Sequence, residues 1–304
     1  MGTQQSIEFP VFKPIELNDR DFIHETLWNY QSQTSELTFT NLFMWRLHYR
    51  LEWSVYKDWL VLLCHPAGQN PFFLPLAGPS PRTEAVQTVL AWLHEERKVA
   101  APAIERADAI LVSETSSLAG VASEPTRDHF DYVYASEDLI QLSGRKYHNK
   151  KNHINRFLKG YRFDHVPFTG NLVEECLVVL EKWCNEKECN KYPVLRAETD
   201  AVKEALQHFN RLKIEGGAIL IQGKVEAFSL GEMLNRDTAV IHVEKADPRI
   251  PELFTVINQQ FCEKQWSSVP YINREQDLGI AGLRQAKLSY NPVRLIEKYR
   301  IALH

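Results

Sequence analysis

Apolar residues fall at helical spacing in some stretches of the chain and in short alternating or continuous runs in others, and this contrast predicts the elements. In the first half, amphipathic helices are predicted over residues 20–30 and 38–47, followed by strands over 49–56 and 59–63 with Lys57-Asp58 as the hairpin turn. An extended piece at 72–76 leads to a helix over 82–98, where Ala85, Val89, Trp92 and Leu93 share one face. Strands are predicted at 110–113 and 131–134. The second half opens with a basic segment and a strand at 161–167, then helices over 172–185 and 200–213. Three β-rich runs, 218–222, 225–234 and 238–245, are joined by Gly223-Lys224 and Asn235-Arg236-Asp237, which predicts an antiparallel meander. A helix over 252–266 buries Leu253, Val256, Ile257 and Phe261; residues 270–273 are extended, and a short helix and a strand end the chain.

Composition supports a folded chain: 304 residues, 44% hydrophobic and 24% charged, exclude disorder and suit two domains. No apolar run reaches the roughly 18–20 residues that span a bilayer, so no integral membrane segment is expected. Residues 1–9 lack the basic start and apolar stretch of an export signal, and a cytoplasmic location is expected. Five cysteines, Cys64, Cys176, Cys184, Cys189 and Cys262, are an odd number, which predicts reduced thiols. Cys184 and Cys189 have no second pair of ligands nearby and read as ordinary helix cysteines, so no metal site is expected. Phosphate-loop, dinucleotide-turn, zinc-helix and nucleophile-elbow motifs are all missing. His94-Glu95-Glu96-Arg97 fails as a zinc helix because Lys98 stands where the second ligand belongs.

Charge is distributed unevenly. The net charge is −4, yet residues 142–162 carry seven basic side chains and no acid, leaving 28 basic and 39 acidic elsewhere, a balance of −11. The spacing predicts a cationic amphipathic helix with Tyr147, Ile154, Phe157 and Leu158 inward and Arg145, Asn152, Arg156 and Lys159 outward. Such a ridge is either a solvated face or a docking surface for phosphates, in which Arg145, Lys146, Lys150, Lys151, Asn152 and Arg156 are the candidate contacts.

A second concentration of chemistry lies at 271–292. A strand runs into Asn273, Arg274, Glu275 and Asp277, at the strand end where α/β folds place ligands, and the helix after it brings Arg284 and Lys287. Asp277 alone reads equally as a helix cap. Glu244 and Lys245 close the strand that contains His242; a carboxylate there serves either as base and orienting group for an incoming amine or as one half of an edge ion pair. Tyr290 is a candidate proton donor to a leaving group, or a core aromatic.

The order helix-helix-strand-strand-strand-helix-strand-helix-strand, readable once in each half, resembles the GNAT acyltransferase fold. The expected class is therefore α/β (α+β), two tandem GNAT-like modules of mixed, mostly antiparallel sheet, over residues 1–143 and 144–304. At the residue level the chain resembles the family of the C-terminal catalytic domain of phosphatidylglycerol lysyltransferase. The resemblance is carried by Gly144-Arg145-Lys146 with Lys151-Asn152-His153-Ile154-Asn155, by Ile241-His242-Val243-Glu244-Lys245-Ala246, and by 273–292, with weaker similarity at 39–45 and 131–134.

The resemblance implies a fold shared with Fem-type aminoacyltransferases, which pass an aminoacyl group from charged tRNA to an amine or hydroxyl. The lysyltransferase has a membrane flippase ahead of this domain; none is read here, so the expected acceptor is a small molecule or peptide. CoA-dependent relatives carry a glycine-rich pyrophosphate loop after the fourth strand, whereas this chain has Asp247-Pro248-Arg249-Ile250-Pro251-Glu252-Leu253, with two prolines that donate no N–H. The expected donor is aminoacyl-tRNA. In that scheme Glu244, Glu275 and Asp277 hold the amino group or act as base, the basic helix grips RNA, and Arg274, Arg284 and Lys287 neutralise the acceptor or the tRNA end. The alternatives are an acetyl-CoA-dependent N-acetyltransferase and a non-catalytic module that binds a ligand or RNA.

Overall fold

The computed structural model describes residues 7–304; residues 1–6, part of the 1–9 stretch read for an export signal, lie outside them. The first elements are β1 (Lys13–Pro14), α1 (Arg20–Tyr30), α2 (Phe39–Tyr49), β2 (Glu52–Tyr56), β3 (Trp59–Cys64), β4 (Phe72–Phe73), α3 (Thr83–Glu95), β5 (Ala103–Ala107), α4 (Ala109–Thr115) and β6 (Val121–Pro125). There follow β7 (Asp131–Ala135), α5 (Ser136–Gln141), α6 (His148–Gly160), β8 (Asp164–Pro167), α7 (Val173–Glu186), α8 (Pro193–Gln207), α9 (Phe209–Leu212), β9 (Glu215–Ile221), β10 (Lys224–Met233) and β11 (Thr238–Ala246). The chain ends with α10 (Leu253–Gln265), β12 (Tyr271–Asn273), α11 (Ala281–Leu288), β13 (Arg294–Ile296) and β14 (Tyr299–Leu303).

The strands form two seven-stranded sheets, ordered β1-β2-β3-β4-β5-β14-β6 and β8-β9-β10-β11-β12-β7-β13. Among the described pairings, β4–β5 and β11–β12 are parallel and the rest antiparallel. Each sheet thus runs in chain order except at its sixth place, which a strand from the other half of the sequence fills.

The chain divides into two compact units. One holds the chain up to Asp131 with Gln276–Gly279 and Ile296–His304; the other holds Tyr132–Glu275 and Ile280–Leu295. These units do not coincide with the contiguous segments 1–143 and 144–304, because β14 hydrogen-bonds to both β5 and β6 and most of β7 belongs with β12. The first unit packs α3, through Ala85, Val86, Val89, Leu90 and Leu93, against the fully buried strand β3. The second packs Leu253, Val256, Ile257 and Phe261 of α10 against Ile219, Ala227, Ile241 and Ile272 of its sheet. Each fully buried side chain of this kind contributes about 1.5–3 kcal/mol.

Some expectations shift. Residues 110–113 are helical, not extended: the Asp108 side chain caps α4 by accepting from Leu111 N at 2.7 Å, and Leu111 and Thr115, one turn apart, face inward. The helix expected at 200–213 begins earlier, with Pro193 in its first turn, and breaks at His208; Lys213, in the left-handed region, ends α9. Leu158, expected inward on α6, is 49% exposed, whereas Tyr147, Ile154 and Phe157 are buried. Cys189 lies in a 3-10 turn after α7 rather than in a helix with Cys184; all five cysteines are free.

Candidate active site

The site begins with a pairing that stops early. In the second sheet Thr238, Ala239 and Val240 of β11 pair with Tyr271, Ile272 and Asn273 of β12. Past that point β11 runs on to Ala246, paired only with β10. The chain leaving β12 turns the other way: Arg274 N donates to Tyr132 O at 2.9 Å, and Glu275 N donates to Asn273 Oδ1 at 2.7 Å with Glu275 at φ +57°. The two parallel strands therefore part, and the Glu244 and Arg274 side chains meet in the notch between their backbones.

Glu244 lies on that free half. Its Oε2 accepts from Arg274 Nε at 3.0 Å, Arg274 Nη2 at 2.8 Å and Asn258 Nδ2 at 3.3 Å. Arg274 is held by Tyr290 and Tyr134, whose ring centroids lie 4.7 and 5.7 Å from its guanidinium carbon. Burial acts to discharge Arg274, but the Glu244 carboxylate and the neighbouring phenols outweigh it and keep the guanidinium charged. The Tyr290 hydroxyl is buried, which pushes its pKa up, and hydrogen-bonds with Thr255 of α10; its carbonyl accepts from Tyr147 Oη at 3.0 Å.

A β-bulge sets the next group. Leu230 pairs with Val243 and Gly231 with Ile241, so His242 is the extra residue. Gly231 is needed there, since a Cβ would come 2.5 Å from Val240 O. His242 is sandwiched by carboxylates: Nε2 to Glu232 Oε1 at 3.0 Å and Nδ1 to Glu275 Oε1 at 2.8 Å. Burial alone lowers a histidine's pKa; here the two carboxylates outweigh it and hold His242 up to about 9, so it is a buried cation at neutral pH.

Helix α6 meets the same cluster. Lys150 is half-buried, with its Nζ 3.9 Å from the Tyr290 ring centroid. Burial, aided by repulsion from Arg274, lowers its pKa to about 8. Arg145, Lys146, Lys151, Asn152 and Arg156 are exposed. Lys146 pairs with Asp138 at 3.0 Å and Arg156 with Glu252 at 2.6 Å, so part of the ridge is neutralised.

The structure brings Glu244, Asn273, Arg274, Glu275, Tyr290 and Lys150 into one region of the second unit. Lys287 donates to the Arg274 carbonyl, and the half-buried Arg284 lies on the same helix, α11. Lys245 faces away from Glu244, as alternation along a strand requires: its Nζ sits 3.3 Å from the Trp183 ring centroid and 2.5 Å from Glu198 Oε1. Asp277 belongs to the first unit, fully buried, where it pairs with Arg127 at 3.2 Å and accepts from Gly279 N at 2.9 Å.

Sequence reasoning missed His242, Glu232, Thr255 and Asn258 as members. Two signals were available: Glu232 is an acid inside an apolar strand, and Asn258 is polar on the buried face of α10, between Ile257 and Phe261. Among the described residues no cluster of three side chains is arranged to hold a metal ion, and no helix is long and apolar enough to cross a membrane.

In the segment after β11, three backbone N–H groups are bonded within the fold. Pro248 and Pro251 have no N–H, while Asp247 N donates to Glu226 O, Arg249 N to Asp247 Oδ1 and Ile250 N to Asp247 O, at 2.8, 3.0 and 3.1 Å. The Glu252 carboxylate, at the N-terminus of α10, is held by His153 and Arg156 of α6.

Comparison with known proteins agrees with this architecture. A conserved protein of unknown function from Bacteroides thetaiotaomicron is 33% identical and superposes with a TM-score of 0.89 over 96% of this chain and 99% of its own. L-PGS from Bacillus licheniformis is 16% identical with a TM-score of 0.57, covering 81% of each chain. FemX is 9% identical with a TM-score of 0.51 over 97% of each, a likeness of fold. The fold is α/β, with two mostly antiparallel sheets flanked by helices, of the kind seen in FemX. The model of the family described as phosphatidylglycerol lysyltransferase, C-terminal, matches residues 29–302. Because that match runs over nearly its whole length, the chain belongs to the phosphatidylglycerol lysyltransferase C-terminal family.

Proposed function

We propose that this protein transfers an aminoacyl group from aminoacyl-tRNA to an amine or hydroxyl of a small-molecule or peptide acceptor, with the reaction in the notch between β11 and β12. The observation that carries the reading is the junction of α6 with that notch: the helix turns Lys150 onto Tyr290, beside Arg274, and presents Lys151 and Asn152 to solvent, with Arg145 exposed in the 3-10 turn just before it. A polyanion lying on the exposed cations would bring its esterified end to Arg274 and Glu244. Positioning of two substrates would supply much of the rate.

The donor is argued against CoA by the segment 247–253. The turn's N–H groups at Asp247, Arg249 and Ile250 are already bonded, and a carboxylate stands at the helix N-terminus that would attract phosphate. The family and the fold support transfer of an acyl group; the tRNA donor is our inference from the basic helix and from this closed turn.

The test is binding of aminoacylated and uncharged tRNA as a function of salt. Binding that weakens steeply as salt rises, and that falls on Lys151→Ala with Arg145→Ala, supports the donor. If neither tRNA binds at low salt while acetyl-CoA raises the melting temperature, the N-acetyltransferase reading replaces it. If tRNA binds but no aminoacyl group moves to any amine, the protein is a binding module.

A further inference from the structure

The carboxylates that sequence chemistry nominates as the base are all held by cations. Glu244 receives both Arg274 nitrogens and Asn258 on one oxygen, Glu275 receives His242, and Asp277 receives Arg127. Each of these carboxylates is thus already engaged by a partner in the structure. Lys150 is placed differently. Its Nζ stands over the Tyr290 ring, half-buried, and among the described residues no carboxylate lies within ion-pair distance of it. The groups that face it come from three other segments: Tyr290 from the loop after α11, Arg274 from the end of β12, and Glu252 from the start of α10. Tyr290 ties the amine to the reaction region, because the same ring carries the Arg274 guanidinium that holds Glu244.

We propose that Lys150 is the catalytic proton acceptor of the transfer. The proposal rests on the acyl-transfer reading above and names a residue within it. As the acceptor nitrogen or oxygen bonds to the carbonyl carbon of the donor ester, its proton passes to the neutral Lys150 amine. The ester C–O bond then breaks, and the Lys150 ammonium returns that proton to the departing alkoxide oxygen, which leaves as a hydroxyl. Lys150 ends as the neutral amine it began as, and nothing beyond donor and acceptor is consumed. The chemistry needs an amine that is partly neutral near pH 7.5. An ordinary lysine is neutral in about one molecule in a thousand there. Burial and the Arg274 charge, which bring Lys150 to about 8, raise that fraction to about a quarter.

Two measurements test this. In the first, the intact protein is labelled with trace acetic anhydride from pH 6 to 10 and each lysine's acetylation is followed by peptide mass spectrometry. Lys150 is expected to gain half its reactivity near pH 8. A Lys150 midpoint near about 10.4, where a model-peptide lysine titrates, overturns the proposal, with no variant needed and whatever the donor proves to be. In the second, aminoacyl transfer to hydroxylamine from a charged tRNA pool is compared between the wild type and Lys150→Arg, which keeps the charge but cannot act as base. A rate loss of roughly 100-fold or more, with tRNA binding within twofold of wild type and loss of the rise in rate towards pH 8, is the expected result. Full activity in Lys150→Arg overturns Lys150 alone. Absence of transfer by the wild type overturns the donor reading, and this role with it.

Discussion

Lys298 is fully buried, with Glu36 at 2.6 and 2.8 Å, Asp131 at 2.6 Å and Ser35 Oγ at 3.3 Å. Its partners are buried too, and removing the amine takes a donor from both carboxylates: Asp131 keeps the Ser35 N and Oγ donors, and Glu36 keeps Arg106 at 3.5 Å. Lys298→Met is expected to lower stability by about 3–5 kcal/mol in urea unfolding, and a loss under about 1 kcal/mol would mean that the cluster relaxes or takes up protons. His242 is its counterpart in the second unit, a buried cation between two acids. Because its folded pKa lies above the unfolded one, its stabilisation is complete below about pH 6.5 and disappears as pH rises through about 9. Wild-type stability in urea should therefore decline across that window, with the His242 imidazole titrating near 9 by NMR; a midpoint near 6.5 would remove the cause. Neither role is legible in residue type. A lysine near the C-terminus and a histidine in a strand become buried pivots only when distant segments deliver carboxylates to them.

Helix α6 shows what periodicity can and cannot resolve. The 3.6-residue repeat put Ile154 and Phe157 inward, and Tyr147 is buried as well, though in a 3-10 turn before the helix; the repeat could not separate Phe157 from Leu158, which lie side by side at the edge of the apolar stripe. Phe157→Ala should cost about 3–5 kcal/mol, and Leu158→Ala no more than about 0.5 kcal/mol, by the same urea measurement. Equal losses would place the helix edge-on to its sheet. At the β10–β11 bulge, Gly231→Ala puts a methyl group against the Val240 carbonyl, which is backbone and cannot turn aside. We expect a loss of about 1–3 kcal/mol. If His242 keeps its high pKa in that variant, the bulge is not what aims it. Helix α4 failed as a strand for a local reason: Ile110-Leu111-Val112 has strand-forming composition, but the Asp108 cap and the Leu111–Thr115 face make it helical.

At the scale of the whole molecule, the sixth place in each sheet is filled from the other half of the sequence. Deleting residues 296–304 takes β14 from between β5 and β6 and Lys298 from its carboxylates, so the truncated protein should melt well below the full chain and be cut first by protease within the first unit. Unchanged melting would show that β5 and β6 close up without it. By itself the sequence determined the elements with strong periodicity, the α/β class, the meander, the isolated basic segment and the polar strand end at Asn273–Glu275, because each depends on residues close together in the chain. The tertiary structure decided which carboxylates are already paired, that Lys245 faces away from Glu244, that Asp277 serves the first unit, and that Lys150 turns from the ridge onto Tyr290. Those outcomes depend on register, on strand splay and on the packing of α6 and α10, where one residue of shift reverses a side chain's surroundings and no local pattern records the choice.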